Sequence, residues 1–150
     1  RPGCIDRLRG ARAEDDGFGI DANGVAHLPV IDPANPWGGL LRWPDTGDPG
    51  VTAKPRRVPG ARLLMRRGIP LLYLGPNARQ LITFPGNLAD PETRVAAFTA
   101  LHQLPKKTRR RSLVIEKIDG RPARESKYCA ELLHCGFVMD YRGLAAEGFA

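Results

Sequence analysis

Between Gly60 and Phe84 the chain reads GARLLMRRGIPLLYLGPNARQLITF, and this run restricts the fold more than any other stretch. Three five-residue segments, Ala61 to Met65, Pro70 to Leu74 and Gln80 to Phe84, are rich in aliphatic and aromatic residues. Each is too short for a stable helix. They are separated by Arg66-Arg67-Gly68 and Gly75-Pro76-Asn77, residues that reverse a chain. The run therefore reads as a three-stranded meander with one apolar face, which requires a helix or a second sheet to cover it.

The rest of the chain supplies that cover. Asp90 is placed to cap a helix with Pro91 at its first position and Glu92 near its positive end. Val95, Phe98 and Leu101 recur at three-residue spacing as its buried stripe, and Pro105 is expected to stop it. A second helix is predicted from Ser126 to Cys135, with Tyr128, Leu132 and Cys135 on one face and Gly136 as its stop. Between them Leu113 to Ile118 reads as one strand ending in the Asp119-Gly120 turn, and Phe137 to Tyr141 as a last short strand. Upstream, GFGIDANGVAHLPV places Asn23-Gly24 between two apolar runs, a hairpin signal. The spacing of Gly17, Gly19 and Gly24 does not match a phosphate-binding loop. The expected fold class is α+β: a small antiparallel β-sheet or partly open β-barrel covered by two helices.

At 150 residues the chain fits one domain, read as 17–150 after a linker at 1–16 that leaves an upstream domain. The first residues have neither an initiator Met nor the apolar core of a signal peptide. No apolar run approaches the roughly 20 residues of a membrane-spanning helix. Cys4, Cys129 and Cys135 are odd in number and, like His27, His102 and His134, lack metal-ligand spacing. No metal is expected, and a reducing, cytoplasmic setting is.

Charge points to a partner. Twenty-three Lys and Arg against 16 Asp and Glu give a net +7, a balance that suits a polyanion. The densest run is PKKTRRRS, where Lys106, Lys107, Arg109, Arg110 and Arg111 lie in a connection able to track a phosphate backbone. Arg56 and Arg57, with Lys54, and the turn residues Arg66 and Arg67 are weaker candidates for the same surface. None of these reads base edges, so contact with DNA, single-stranded or duplex, would be sequence-tolerant. The alternative for the cluster is a solvated loop or a contact with an acidic neighbouring domain.

Both tryptophans fall in IDPANPWGGLLRWP, residues 31–44. Pro33 and Pro36 fix their own φ and push Asp32 and Asn35 towards extended backbone, so the stretch is a stiff loop that Trp37 and Trp43 can pin to the body. Stacking of a tryptophan on a nucleic-acid base is the competing role. The Pro/Gly-rich residues 45–60 continue as surface loop.

The Asp32 to Gly38 loop followed by Arg42-Trp43-Pro44 resembles a segment near the C-terminus of Lhr-type (large helicase-related) helicases of superfamily 2. The likeness continues through Pro59-Gly60-Ala61, the hairpin around Gly68, the strand ending at Phe84, Val114 to Gly120, Gly136-Phe137 and Tyr141 to Leu144. Met65-Arg66-Arg67 departs from that family's pattern, which has an aliphatic residue followed by Asp-Gly at this hairpin.

The resemblance implies a β-barrel-like accessory domain of an ATP-dependent DNA translocase linked to DNA repair. The motor domains, with their ATP and Mg, would lie upstream in the same polypeptide and be its partners. The chain itself has no G-x-x-x-x-G-K-[ST] and no acidic Walker B box, so no cofactor is expected within it. Two other readings stand beside nucleic-acid binding or scaffolding. One is a glycosylase-type repair module, for which Asp140 is the sole catalytic candidate, as implied by the likeness of long Lhr C-terminal extensions to winged-helix glycosylases. The other is a purely structural interdomain module.

Overall fold

The computed structural model describes residues 19–46, 54–107 and 112–147. Its elements are β1 (Gly19–Ile20), β2 (Val25–Pro29), β3 (Arg62–Arg66), β4 (Ile69–Leu74), β5 (Gln80–Thr83) and helix α1 (Pro91–Lys107). They continue with β6 (Ser112–Ile115), β7 (Lys117–Ile118), β8 (Arg121–Pro122), helix α2 (Cys129–His134), β9 (Val138–Asp140) and β10 (Gly143–Glu147). The class is α+β. Seven strands form one sheet in the order β1-β2-β3-β4-β5-β7-β8, and three form another in the order β6-β10-β9. All pairings are antiparallel except β5 with β7. The large sheet ends in edges at β1 and β8, so no barrel closes among the described residues. The linker expected at 1–16 lies outside the described residues.

The meander forms where the turn chemistry places it. Arg67 (φ 55°) and Gly68 (φ 79°) both take left-handed backbone between β3 and β4, the signature of a tight two-residue hairpin turn. The same pair of conformations recurs at Asp119 and Gly120 between β7 and β8. At the first hairpin the side chain of Asp21 accepts the N–H groups of Asn23 and Val25, both at 2.9 Å, which fixes the turn before β2. A bulge between Leu64 and Met65 lets Pro70 sit in β4.

The meander has two apolar faces, not the single one expected from its sequence. Leu64, Leu72, Leu74 and Leu81 join the core under α1 and the small sheet. Their neighbours Leu63, Met65, Tyr73 and Ile82 point the other way and build a second core with Leu28, Val30 and Phe84. Continuous aliphatic runs are what a strand covered on both sides requires. The tryptophan loop covers the second face.

Helix α1 starts as its sequence specifies. The Asp90 carboxylate accepts the Thr93 N–H at 3.3 Å and its hydroxyl at 3.1 Å, with Pro91 at the first helical position. Its buried stripe is Ala97, Phe98, Leu101 and Leu104, and Val95 is exposed. Steps of three residues drift by about 60° around a helix of 3.6 residues per turn, so Val95 lies about 120° from Leu101. Burying Phe98, Leu101 and Leu104 stabilises the fold by roughly 1.5–3 kcal/mol each. Pro105 does not stop the helix, which runs on to Lys107. In the last turn the missing N–H forfeits a single helical bond, while Leu104 beside it is buried.

Helix α2 starts later than predicted: Ser126, after a 3-10 turn at Ala123–Glu125, has extended backbone, and its hydroxyl accepts the Tyr128 N–H at 3.1 Å. Its end follows the sequence signal: Gly136 N–H reaches Leu133 O (3.2 Å) and Phe137 N–H reaches Leu132 O (3.1 Å), and both Leu132 and Phe137 are buried. The predicted strand from Leu113 to Ile118 is two strands in two sheets. The chain changes sheet at Glu116, where Arg79 O accepts the N–H groups of both Glu116 (2.8 Å) and Lys117 (3.0 Å). Strand β10, GLAAE, has no β-branched or aromatic residue, so nothing in its composition marks it as a strand. It pairs with β6 and β9 and buries Leu144 and Ala146.

Candidate nucleic-acid interface

The loop of residues 31–44 is organised by one buried side chain. Asn35, 3% exposed, donates from Nδ2 to Val30 O (2.7 Å) and Trp37 O (3.3 Å), and its Oδ1 accepts the Trp37 N–H (3.0 Å). Asp32 Oδ1 accepts Ala34 N–H at 2.8 Å, setting the turn that carries Pro33. Pro36 then leads into Trp37, whose indole N–H donates to Gly68 O at the β3–β4 turn, 3.1 Å away. Trp43 lies parallel to Phe84, with ring centroids 6.1 Å apart and planes inclined by 6°, and edge-on to Tyr73 at 5.8 Å. Gly38 (φ 80°) passes so near that a Cβ would stand 2.6 Å from the Trp43 ring. Both tryptophans thus pack against the second core.

This packing sorts the cations. Arg57 donates from one guanidinium nitrogen to Asn35 O (2.8 Å) and Trp37 O (3.1 Å), so it holds the loop and is half-buried in doing so. Its neighbour Arg56 is exposed, and the backbone carbonyl of Arg56 accepts the Tyr73 hydroxyl at 2.8 Å. Tyr73 is buried, which raises its pKa, and it keeps the segment from 54 to 58 against the sheet. Lys54, Arg56 and Arg79 line a cleft of about 440 Å³ floored by Val58, Tyr73 and Ile82. Among the described residues no acidic side chain lines this cleft, though Arg79 makes an ion pair with Glu116 at 3.2 Å.

Arg66 and Arg67 line a different hollow, of about 420 Å³, together with Asp90 and Glu92. Arg66 stands 3.6 Å from the exposed Glu92 carboxylate, a long and solvated pair worth little in stability. Two cations facing two carboxylates do not select a polyanion. Lys106 and Lys107 close α1, and their side chains, with Arg109, Arg110 and Arg111, lie outside the described residues. The structure thus separates the sequence candidates. Arg56 lines the first cleft with Lys54, Arg57 is structural, and Arg66 and Arg67 sit apart. Arg79, isolated in the sequence, gave no signal of its own.

Hydrogen bonding and burial shift the pKa of two further carboxylates in opposite directions. Asp140, at the end of β9, accepts the Arg142 N–H (2.9 Å) and faces its guanidinium at 3.4 Å. These contacts, the backbone N–H first, hold its carboxyl below the usual range, so it is ionised at neutral pH. Asp119 is the opposite case: burial pushes its pKa up, although it accepts the Thr83 N–H (2.8 Å) and hydroxyl (2.7 Å). It ties the β7–β8 turn to β5, a part that its Asp-Gly sequence alone does not reveal.

Asp119→Ala leaves the fully buried Thr83 without either partner and is expected to cost about 2–3 kcal/mol. Asp119→Asn keeps an acceptor and is expected to stay within about 1 kcal/mol of the parent at pH 7. A raised folded pKa contributes stability that is present below the unfolded pKa and lost as pH rises through the folded value. The Asn variant should therefore gain on the parent from acid towards neutral pH. Urea unfolding at several pH values checks both; equal losses for Ala and Asn would refute the latch.

No helix among the described residues is long and apolar enough to cross a membrane. No family model matches the chain. It is 32% identical over 119 residues, 78% of its length, to the Lhr helicase/uracil glycosylase of Escherichia coli (strain K12). It is 31% identical over 147 residues, 93% of its length, to the Lhr helicase/probable uracil glycosylase of Mycolicibacterium smegmatis. The chain spans only 7% and 9% of those two proteins. By this extended likeness, the chain belongs with the Lhr-type helicases, as a counterpart of one short segment of them.

Proposed function

We propose that this helicase-associated segment is a C-terminal accessory domain that holds nucleic acid for the motor of a DNA-repair helicase in the cytoplasm. The motor, with its ATP and Mg, belongs to other parts of the parent polypeptide. The observation that carries the reading is the cleft of Lys54, Arg56 and Arg79, which no acidic side chain among the described residues lines, on a chain with a net charge of +7. Cations around an apolar floor suit a phosphodiester backbone without reading sequence. The run from Lys106 to Arg111 would add to the same electrostatic attraction.

The test is binding of random-sequence DNA as a function of salt. Replacing Lys54 and Arg56 by Ala should weaken binding and reduce the slope of log K against log salt by roughly 0.7 to 0.9 for each phosphate that is no longer neutralised. Unfolding midpoints should hardly move, since Lys54 and the Arg56 side chain are exposed. A chain that binds no DNA even at low salt would refute the reading and leave a structural interdomain role. The chain alone should show no heat of binding with micromolar ATP, because its sequence has no phosphate loop.

A second reading is favoured by the names of both relatives, which include uracil glycosylase. The ionised Asp140 has the charge needed to activate water or stabilise a developing oxocarbenium ion. In the full-length parent, Asp140→Asn would then abolish uracil excision while leaving DNA affinity intact. Unchanged excision would remove Asp140 from the chemistry.

A further inference from the structure

The turn between β9 and β10 carries the most exposed aromatic residue among the described large hydrophobics, Tyr141, with 82% of its surface open to solvent. An aromatic at a turn tip means little when the turn is loose. Here the backbone around the ring is fixed from two sides. Arg124, from the 3-10 turn after β8, donates one guanidinium nitrogen to the carbonyls of both Asp140 (2.9 Å) and Tyr141. Asp140 closes the turn by accepting the Arg142 N–H. The ring is therefore presented on a held backbone, which reduces the ordering cost of binding anything against it.

Its surroundings are cationic. The Arg142 guanidinium lies 5.2 Å from the centre of the Tyr141 ring, and Arg124 is exposed beside the turn. The neighbouring carboxylate, Asp140, is already paired with Arg142. An open aromatic ring with one guanidinium near its face and a second bonded to its own carbonyl brings together the two elements that bind single strands: a surface for a base and cations for its phosphates.

We propose that Tyr141 is a stacking platform for an unpaired base of single-stranded nucleic acid, with Arg124 and Arg142 attracting the adjoining phosphates. This rests on the nucleic-acid reading above and assigns it a second contact point, outside the Lys54–Arg79 cleft. Tyr141 directly follows Asp140 in the chain, so the platform is compatible with either reading of that residue.

The experiment measures binding of labelled oligo-dT and oligo-U to the full chain, with tyrosine-to-alanine and tyrosine-to-phenylalanine variants. Tyr141→Ala should bind oligo-dT roughly 5- to 150-fold more weakly, the loss that removal of a stacking aromatic produces. Its salt slope should be unchanged, because every phosphate-neutralising cation is still present. Tyr141→Phe keeps the ring and should bind within about twofold of the parent. The midpoint of unfolding should stay in place for both, since the side chain is exposed.

Comparison of oligo-dT with oligo-U shows whether the platform favours DNA or RNA. Parental binding by Tyr141→Ala, in a chain whose Lys54 and Arg56 variants are weakened, overturns the platform and leaves the cleft reading standing. Absence of binding by the unaltered chain overturns both. Loss by Tyr141→Ala with no effect of the cleft variants upholds the platform and removes the cleft.

Discussion

Gly143→Ala is expected to cost the fold about 4 kcal/mol or more, the largest single effect a small substitution can have here. A Cβ at Gly143 would stand 2.0 Å from the carbonyl oxygen of Ile115, 2.9 Å from its carbonyl carbon and 3.0 Å from Glu116 Cα. All three obstacles are backbone, so no side chain can swing aside. The position also has φ 158°, where a side chain is strained whatever the space. The strand it would push away is the one that changes sheet at Glu116, anchored there by the Arg79 carbonyl. Displacement at Gly143 thus loosens both the β6–β10 pairing and the parallel β5–β7 junction. Thermal unfolding should show a midpoint lowered by roughly 10 °C or more, if the variant accumulates folded at all. A change of only a degree or two would mean that β6 and β10 are not so closely apposed.

Trp43→Ala carries the second large expectation, about 3 kcal/mol, the lower end for truncating a packed aromatic because the ring is only partly buried. Its loss uncovers Phe84, which is 0% exposed in the intact protein, and removes the edge contact with Tyr73. The loop then keeps Trp37 and the Asn35 bonds, so the damage should be local before it is global. The measurement is the midpoint of guanidinium unfolding together with affinity for single-stranded DNA. If the variant unfolded at the parental midpoint but bound single strands more weakly, Trp43 would be a base platform and not a packing residue.

Short-range signals determined a great deal about this protein. The strands around Gly68 and Gly75, the Asp90 cap and the Gly136 stop depend on residues within a few positions of each other, so they are legible along the chain. The stiffness of residues 31–44 is equally local, because Pro33, Pro36 and the Asn35 side chain constrain neighbouring backbone. Net charge and the likeness to Lhr helicases also belong to the sequence alone.

Tertiary structure decided what each of those parts is for. Arg56 and Arg57 are adjacent and chemically identical, yet one lines an open cleft and the other holds the carbonyls of a loop some 20 residues away in sequence. Only three-dimensional proximity distinguishes them. Strand β10 is built from Gly, Leu, Ala and Glu, which favour no strand by themselves; it exists because β6 and β9 offer ladder bonds and a buried place for Leu144. The break at Glu116 likewise follows from two sheets taking the two ends of one segment, Leu113 to Ile115 and Lys117-Ile118, and each of these pairing partners lies far along the chain. Hydrogen-bond partners and covered faces are properties of the assembled molecule, so no periodicity within a single segment can specify them.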